Sequence, residues 1–265
     1  MNIETVKTDS FSMDYCRFGT GEKTMVILPG LSVQSVLPMA DAVAAAYGKF
    51  TDKYTVYLFD RRNDISAPYT VKDMARDTAC AMKALGLKYV YLCGASQGGM
   101  MAQVIAVEYP ELVKKLAVCS SSAHVKDEQY KVLEGWSDLA RAGDREGLYL
   151  AFGKELYKSE VFEQYKAALI DAASTVTDED LRRFVILSEG TEGFDISKEL
   201  CRIQCPVLAI GDADDKVLDS DATMEIAEKL DEKSGFRLFM YNGFGHAAYD
   251  TAPDFTDRLY RFFEA

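Results

Sequence analysis

The residue types that together activate an oxygen nucleophile occur here in a telling order. Ser96 stands in Gly94-Ala95-Ser96-Gln97-Gly98, a G-x-S-x-G pattern. That pattern asks for a tight turn from strand to helix, with the hydroxyl held clear of the turn and glycines removing side chains that would clash. A serine hydroxyl is a weak nucleophile without a base, and the chain has only 2 histidines, His124 and His246. His246 closes Asn242-Gly243-Phe244-Gly245-His246, between an apolar run and a final helix. Ligands bind at such strand ends in open α/β sheets. His124 follows Ser120-Ser121-Ser122 and reads as a surface or capping residue. A base also needs a carboxylate to hold its tautomer. Asp212, Asp214 and Asp215 compete for that role in Gly211-Asp212-Ala213-Asp214-Asp215, where clustered carboxylates also form turns and caps. The five-residue pattern alone arises by accident in roughly one chain in fifteen of this size. The surrounding elements must therefore decide.

Short apolar runs ending in breakers read as buried strands. They are Met25–Leu28, Thr55–Phe59, Tyr89–Cys93, Leu116–Cys119, Val207–Ile210 and Phe236–Tyr241, preceded by an antiparallel pair at Ile3–Thr8 and Ser12–Phe18. Helical spacing fills Gln34–Tyr47, Val71–Leu85, Gln97–Tyr109, Ser220–Leu230 and Pro253–Phe263. Strands alternating with helices predict a mostly parallel sheet covered on both faces. From His124 to Glu199 the rhythm breaks into an aromatic-rich helical stretch. This predicts a core of residues 1–123 and 200–265 with a helical insertion at 124–199. Ser96 then falls at a strand-to-helix turn, while His246 and the aspartates fall at the ends of later strands.

Size and charge fit this picture. The 265 residues suit one core domain plus an insertion. A hydrophobic share of 48% supplies a large core. The net charge of -12 repels phosphate backbones and anionic headgroups, which argues against nucleic-acid and membrane partners. Six cysteines, Cys16, Cys80, Cys93, Cys119, Cys201 and Cys205, form no C-x-x-C pair. Cys93 and Cys119 lie in buried strands, and a reducing cytoplasm is the simpler setting. No signal peptide, membrane span or metal site is read from the sequence.

G-x-S-x-G, Gly211-x-x-Asp214-x-x-Val217 and a late Gly245-His246 resemble the α/β-hydrolase superfamily. The resemblance runs from about Thr24 to Phe263. It implies an eight-stranded, mostly parallel sheet with a helical cap, and Asp214 as the acid, with Asp215 as the fallback. Leu28-Pro29-Gly30-Leu31 resembles the family's loop after the third strand, with Pro-Gly in place of the usual His-Gly. This implies an oxyanion hole built from the backbone N–H groups of Leu31 and Gln97, whose side chains would then matter little. Asp60-Arg61-Arg62-Asn63-Asp64-Ile65-Ser66 lacks the glycines common in relatives; it reads as a solvated loop, with a reshaped pocket edge as the alternative. The implied activity is hydrolysis of a partly apolar carboxylic ester by Ser96, Asp214 and His246, without metal or organic cofactor, in a monomer or homodimer. Carbon–carbon bond hydrolysis, thioester cleavage and acyl transfer use the same groups in relatives, and some relatives are ligand sensors.

Overall fold

The structure, a computed structural model, describes all 265 residues. Eight strands form one sheet: β1 (Ile3–Lys7), β2 (Ser12–Phe18), β3 (Lys23–Leu28), β4 (Tyr54–Arg62), β5 (Val90–Ala95), β6 (Val113–Cys119), β7 (Val207–Asp212) and β8 (Phe236–Tyr241). Their spatial order is β1-β2-β4-β3-β5-β6-β7-β8. The first three in that order pair antiparallel, and every pairing from β4 onward is parallel. Parallel strands covered on both faces should be apolar throughout, and β7 is buried at every position.

The chain leaves β3 toward β4 on one side and returns to β5 on the other. The crevice beyond the carboxyl ends of β3 and β5 is thus a topological switch point, the expected place for a ligand. There Leu28 pairs with Gly94, two residues before Ser96.

Helices cover both faces. They are α1 (Ala40–Ala46), α2 (Val71–Ala84), α3 (Gln97–Glu108), α4 (Asp127–Arg141), α5 (Arg145–Leu156), α6 (Ser159–Ala173), α7 (Asp178–Glu189), α8 (Asp219–Leu230), α9 (Ala248–Thr251) and α10 (Phe255–Glu264). α2 begins with a capping box, in which Thr70 and Asp73 satisfy each other's backbone N–H groups. One core joins α2, α3, α8 and the inserted helices; a second packs α1 and α10 on the opposite face. α4 to α7 all lie between β6 and β7. No helix is long and apolar enough to cross a membrane.

Two elements differ from their sequence reading. The helix expected over Gln34–Tyr47 is a short 3-10 turn at Leu37–Met39 followed by α1, because Pro38 starts the turn and lacks an N–H for the preceding one. β4 runs on through Asp60, Arg61 and Arg62 rather than opening into a solvated loop.

α10 is clamped to the amino ends of β3 and β4 by its last turn. Glu264 accepts from Lys23 Nζ and Lys53 Nζ at 2.6 Å each and from the Tyr54 hydroxyl at 2.6 Å. These three donors hold its carboxyl down at about 2. A depressed carboxylate contributes stability above its unfolded pKa, and that contribution fades as pH falls through the folded value. Glu264→Gln should therefore lower the thermal midpoint by a constant amount above about pH 5, with the gap closing toward about pH 2. Thermal melts across that range check this. Because both lysines are partly exposed, the gap should also shrink in 1 M salt, where the Debye length is about 3 Å.

Candidate active site

Ser96 sits between β5 and α3 with φ 51° and ψ -123°. A side chain in that region costs about 1–3 kcal/mol and persists only where the surroundings enforce it. They do so by close approach. A Cβ on Gly98 would lie 2.2 Å from the Leu28 carbonyl oxygen, and one on Gly94 would lie 2.3 Å from that of Gly98. The Ser96 N–H donates to the Cys119 carbonyl at 2.8 Å, and the Ser121 hydroxyl donates to the Ser96 carbonyl at 2.7 Å. The turn is thus pinned by β3, β6 and α3 together.

The serine hydroxyl lies 2.9 Å from His246 Nε2. On the far side of the ring, Nδ1 lies 2.8 and 2.9 Å from the two carboxylate oxygens of Asp215. A carboxylate can only accept, so Nδ1 carries the proton and Nε2 is free to accept from Ser96. The His246 and Asp215 side chains are 2% and 3% exposed, which removes water as a competing partner. His124 is elsewhere, bridged to Asp195.

The carboxylate on His246 is therefore that of Asp215, and not that of Asp214. The three aspartates divide by which way the chain turns. Asp212, the last residue of β7, is buried and accepts the backbone N–H groups of Asp214, Gly243 and Phe244. It ties the acid-bearing loop to the histidine loop. The Asp215 N–H donates back to the Asp212 carbonyl at 3.3 Å, closing a turn that leaves Asp214 exposed at its corner and points Asp215 inward. Asp215 then caps the following turn, accepting from the N–H groups of Val217 and Leu218 at 2.9 and 3.1 Å.

The backbone N–H groups of Leu31 and Gln97 have no acceptor within the protein. Gly30, beside Leu31, is held so close that its Cβ would stand 3.1 Å from that of Ser96. Two free donors next to the Ser96 hydroxyl are an arrangement that can hold a developing oxyanion. The Gln97 side chain, expected to matter little, is buried and fully engaged. Its amide donates to the Leu187 carbonyl at 2.7 Å and to the Thr191 hydroxyl at 2.8 Å. Its oxygen accepts from Arg61 Nη2 at 2.9 Å.

Arg61, read from sequence as part of a solvated loop, is 3% exposed. The same Nη2 donates to the carbonyls of Pro29 at 2.9 Å and Gly30 at 3.2 Å. Burial lowers its pKa to about 10, still well above neutrality. A single guanidinium thus joins the loop before Leu31 to the side chain of Gln97. The signal for it in the sequence was position: it ends a strand whose carboxyl end faces the crevice.

The space around Ser96 is a narrow slot of about 20 Å³, room for little more than one water. Leu133 and Trp136 of α4 and Phe152 and Leu156 of α5 wall it. Trp136 and Phe152 pack ring to ring at 4.6 Å, so these aromatics both build the insertion and line the site. The slot shares Leu31, Phe152, Leu156 and Tyr249 with a larger apolar cavity of about 730 Å³.

Known proteins share this construction. The family model described as alpha/beta hydrolase fold matches residues 23–253. The chain is 26% identical over 215 residues to Serine hydrolase BPHL of Homo sapiens, covering 77% of this chain and 67% of that protein. It is 22% identical over 227 residues to 3-oxoadipate enol-lactonase 2 of Acinetobacter baylyi, covering 81% and 80%. MGS-M2, an alpha/beta hydrolase enzyme from a Medee basin deep-sea metagenome library, superposes with a TM-score of 0.87 at 21% identity, over 99% of this chain and 98% of its own.

Two outcomes are expected. A fluorophosphonate should label wild-type protein at Ser96, read by mass spectrometry. Asp215→Asn should slow labelling by on the order of 10³-fold or more, by presenting the wrong tautomer, while Asp214→Asn stays within a few-fold of wild type. Arg61→Met should destabilise the fold by on the order of 3 kcal/mol in urea titrations, because the Gln97 oxygen and two loop carbonyls lose their donor.

Proposed function

This chain belongs to the α/β-hydrolase family and is a hydrolase, and from that premise we propose that it cleaves carboxylic esters through an acyl-enzyme on Ser96. The observation that carries the reading is the unbroken chain from Asp215 through His246 to the Ser96 hydroxyl. His246 Nε2 takes the hydroxyl proton as Oγ attacks the ester carbonyl. The Leu31 and Gln97 N–H groups receive the oxyanion. Removing one such donor typically costs about 2.7–4 kcal/mol in barrier. Protonated His246, stabilised by Asp215, returns the proton to the leaving alcohol. Water then enters, His246 takes its proton as the water oxygen bonds to the acyl carbon, the Oγ–acyl bond breaks, and His246 returns the proton to Ser96 Oγ as the acid leaves. Segment 124–199 serves as the cap, a role supported by the α4 and α5 side chains that wall the slot. The apolar lining favours an uncharged group at the carbonyl itself.

The test is the turnover of short p-nitrophenyl esters. Ser96→Ala should lower kcat by roughly 10⁴- to 10⁶-fold, with the fold retained by circular dichroism. Wild-type protein should release p-nitrophenol in a burst where deacylation is slow. Near-normal turnover in the alanine variant would remove Ser96 from the reaction.

A further inference from the structure

The larger cavity beside the slot is walled by α1, the ends of β3 and β5, and the segment after His246. Its surface is apolar with one exception of charge, Asp250. No lysine, arginine or histidine lines it. The Asp250 side chain makes no hydrogen bond or ion pair within the protein and is open to the cavity rather than packed. Tyr47, Tyr157 and Tyr249 line the same cavity. The surrounding protein raises its pKa, with no cation to oppose the effect. Glu264, Asp215 and Asp212 each hold donors of their own; Asp250, like Asp214, is exposed, and the space it lines is this cavity. A cation entering the cavity meets this carboxylate as the one opposite charge on the wall and meets no like charge.

We propose that this cavity binds the ammonium end of a substrate whose ester carbonyl lies at Ser96, with the Asp250 carboxylate as counter-charge and the surrounding tyrosine rings as cation–π partners. The substrate class is an ester with an apolar chain ending in a primary or quaternary amine. The chain between the two ends runs past the residues common to slot and cavity, Leu31, Phe152, Leu156 and Tyr249. The catalytic half of this statement rests on the Ser96 reading above; the binding half does not.

The experiment uses matched p-nitrophenyl esters of increasing acyl length ending either in trimethylammonium or in tert-butyl. The two ends share shape and differ in charge. At the best-fitting length, wild-type kcat/KM should favour the ammonium ester by on the order of tenfold. Asp250→Asn should abolish that preference while leaving the tert-butyl ester within about twofold, since the change is isosteric and remote from the reacting atoms. A wild-type preference for tert-butyl, or one for ammonium that survives in Asp250→Asn, overturns the proposal. If no ester is turned over, the Ser96 reading fails by itself. Calorimetric binding of an alkyltrimethylammonium ion then decides the cavity. Binding to Ser96→Ala that disappears in Ser96→Ala/Asp250→Asn supports it, and no binding to Ser96→Ala overturns it.

Discussion

The backbone at Ser96 can hold a positive φ only because nothing around it has room to let it relax. Its neighbours Gly94 and Gly98 touch carbonyl oxygens of α3 and β3 at distances where no Cβ fits. Gly30 presses on the serine from the opposite loop. Local strain of about 1–3 kcal/mol is small beside the burial of β5 and α3, which are among the most enclosed elements of the protein. The sheet order supplies the rest. Since the chain departs from β3 in one direction and returns to β5 in the other, the two strands end side by side with a crevice beyond them. Ser96, the two free N–H donors beside it and the slot are all consequences of that one reversal.

Much of this was legible in the residues. Six of the eight strands were marked by apolar runs, with breakers such as Pro29, Gly94, Gly211 and Asn242, and each of these runs lies within an observed strand or overlaps all but its first residue; the first two were marked by polar alternation. Ser96 and His246 followed from residue type, because a serine needs a base and the second histidine stood at a strand end. Asp215 did not follow. Three carboxylates in four positions have the same chemistry on paper, and only the path of one turn separates them. Motif spacing counted to Asp214, whereas the hydrogen bond from the Asp215 N–H to the Asp212 carbonyl rotates the next residue into the site.

Arg61 was misread for a different reason. A charged residue among charged residues is usually solvated, and burial depends on partners far away in sequence. Those partners are carbonyls of Pro29 and Gly30 and the oxygen of Gln97, none of which carries a charge that a pattern could match. α7 reinforces the same corner, since Arg183 reaches the carbonyls of Arg61 and Arg62 and lies 3.5 Å from Asp60. α6, by contrast, buries only Ala173. The insertion therefore has one helix bolted to the sheet and one that leans mainly on its neighbours.

In Gly94-Ala95-Ser96-Gln97-Gly98 the fourth position is written as a variable, and in this protein it is not free. Gln97 keeps its backbone N–H free beside Ser96 and ties its side chain to three other segments: the end of β4, the last turn of α7 and Thr191 beyond it. A shorter or differently shaped amide would take one acceptor from a buried guanidinium and the donor from the Leu187 carbonyl and the Thr191 hydroxyl. Positions 61, 97 and 191 thus behave as one word spelled across the chain. Changing a single letter costs more than the sum of contacts suggests, and a workable substitute would have to rewrite all of them at once.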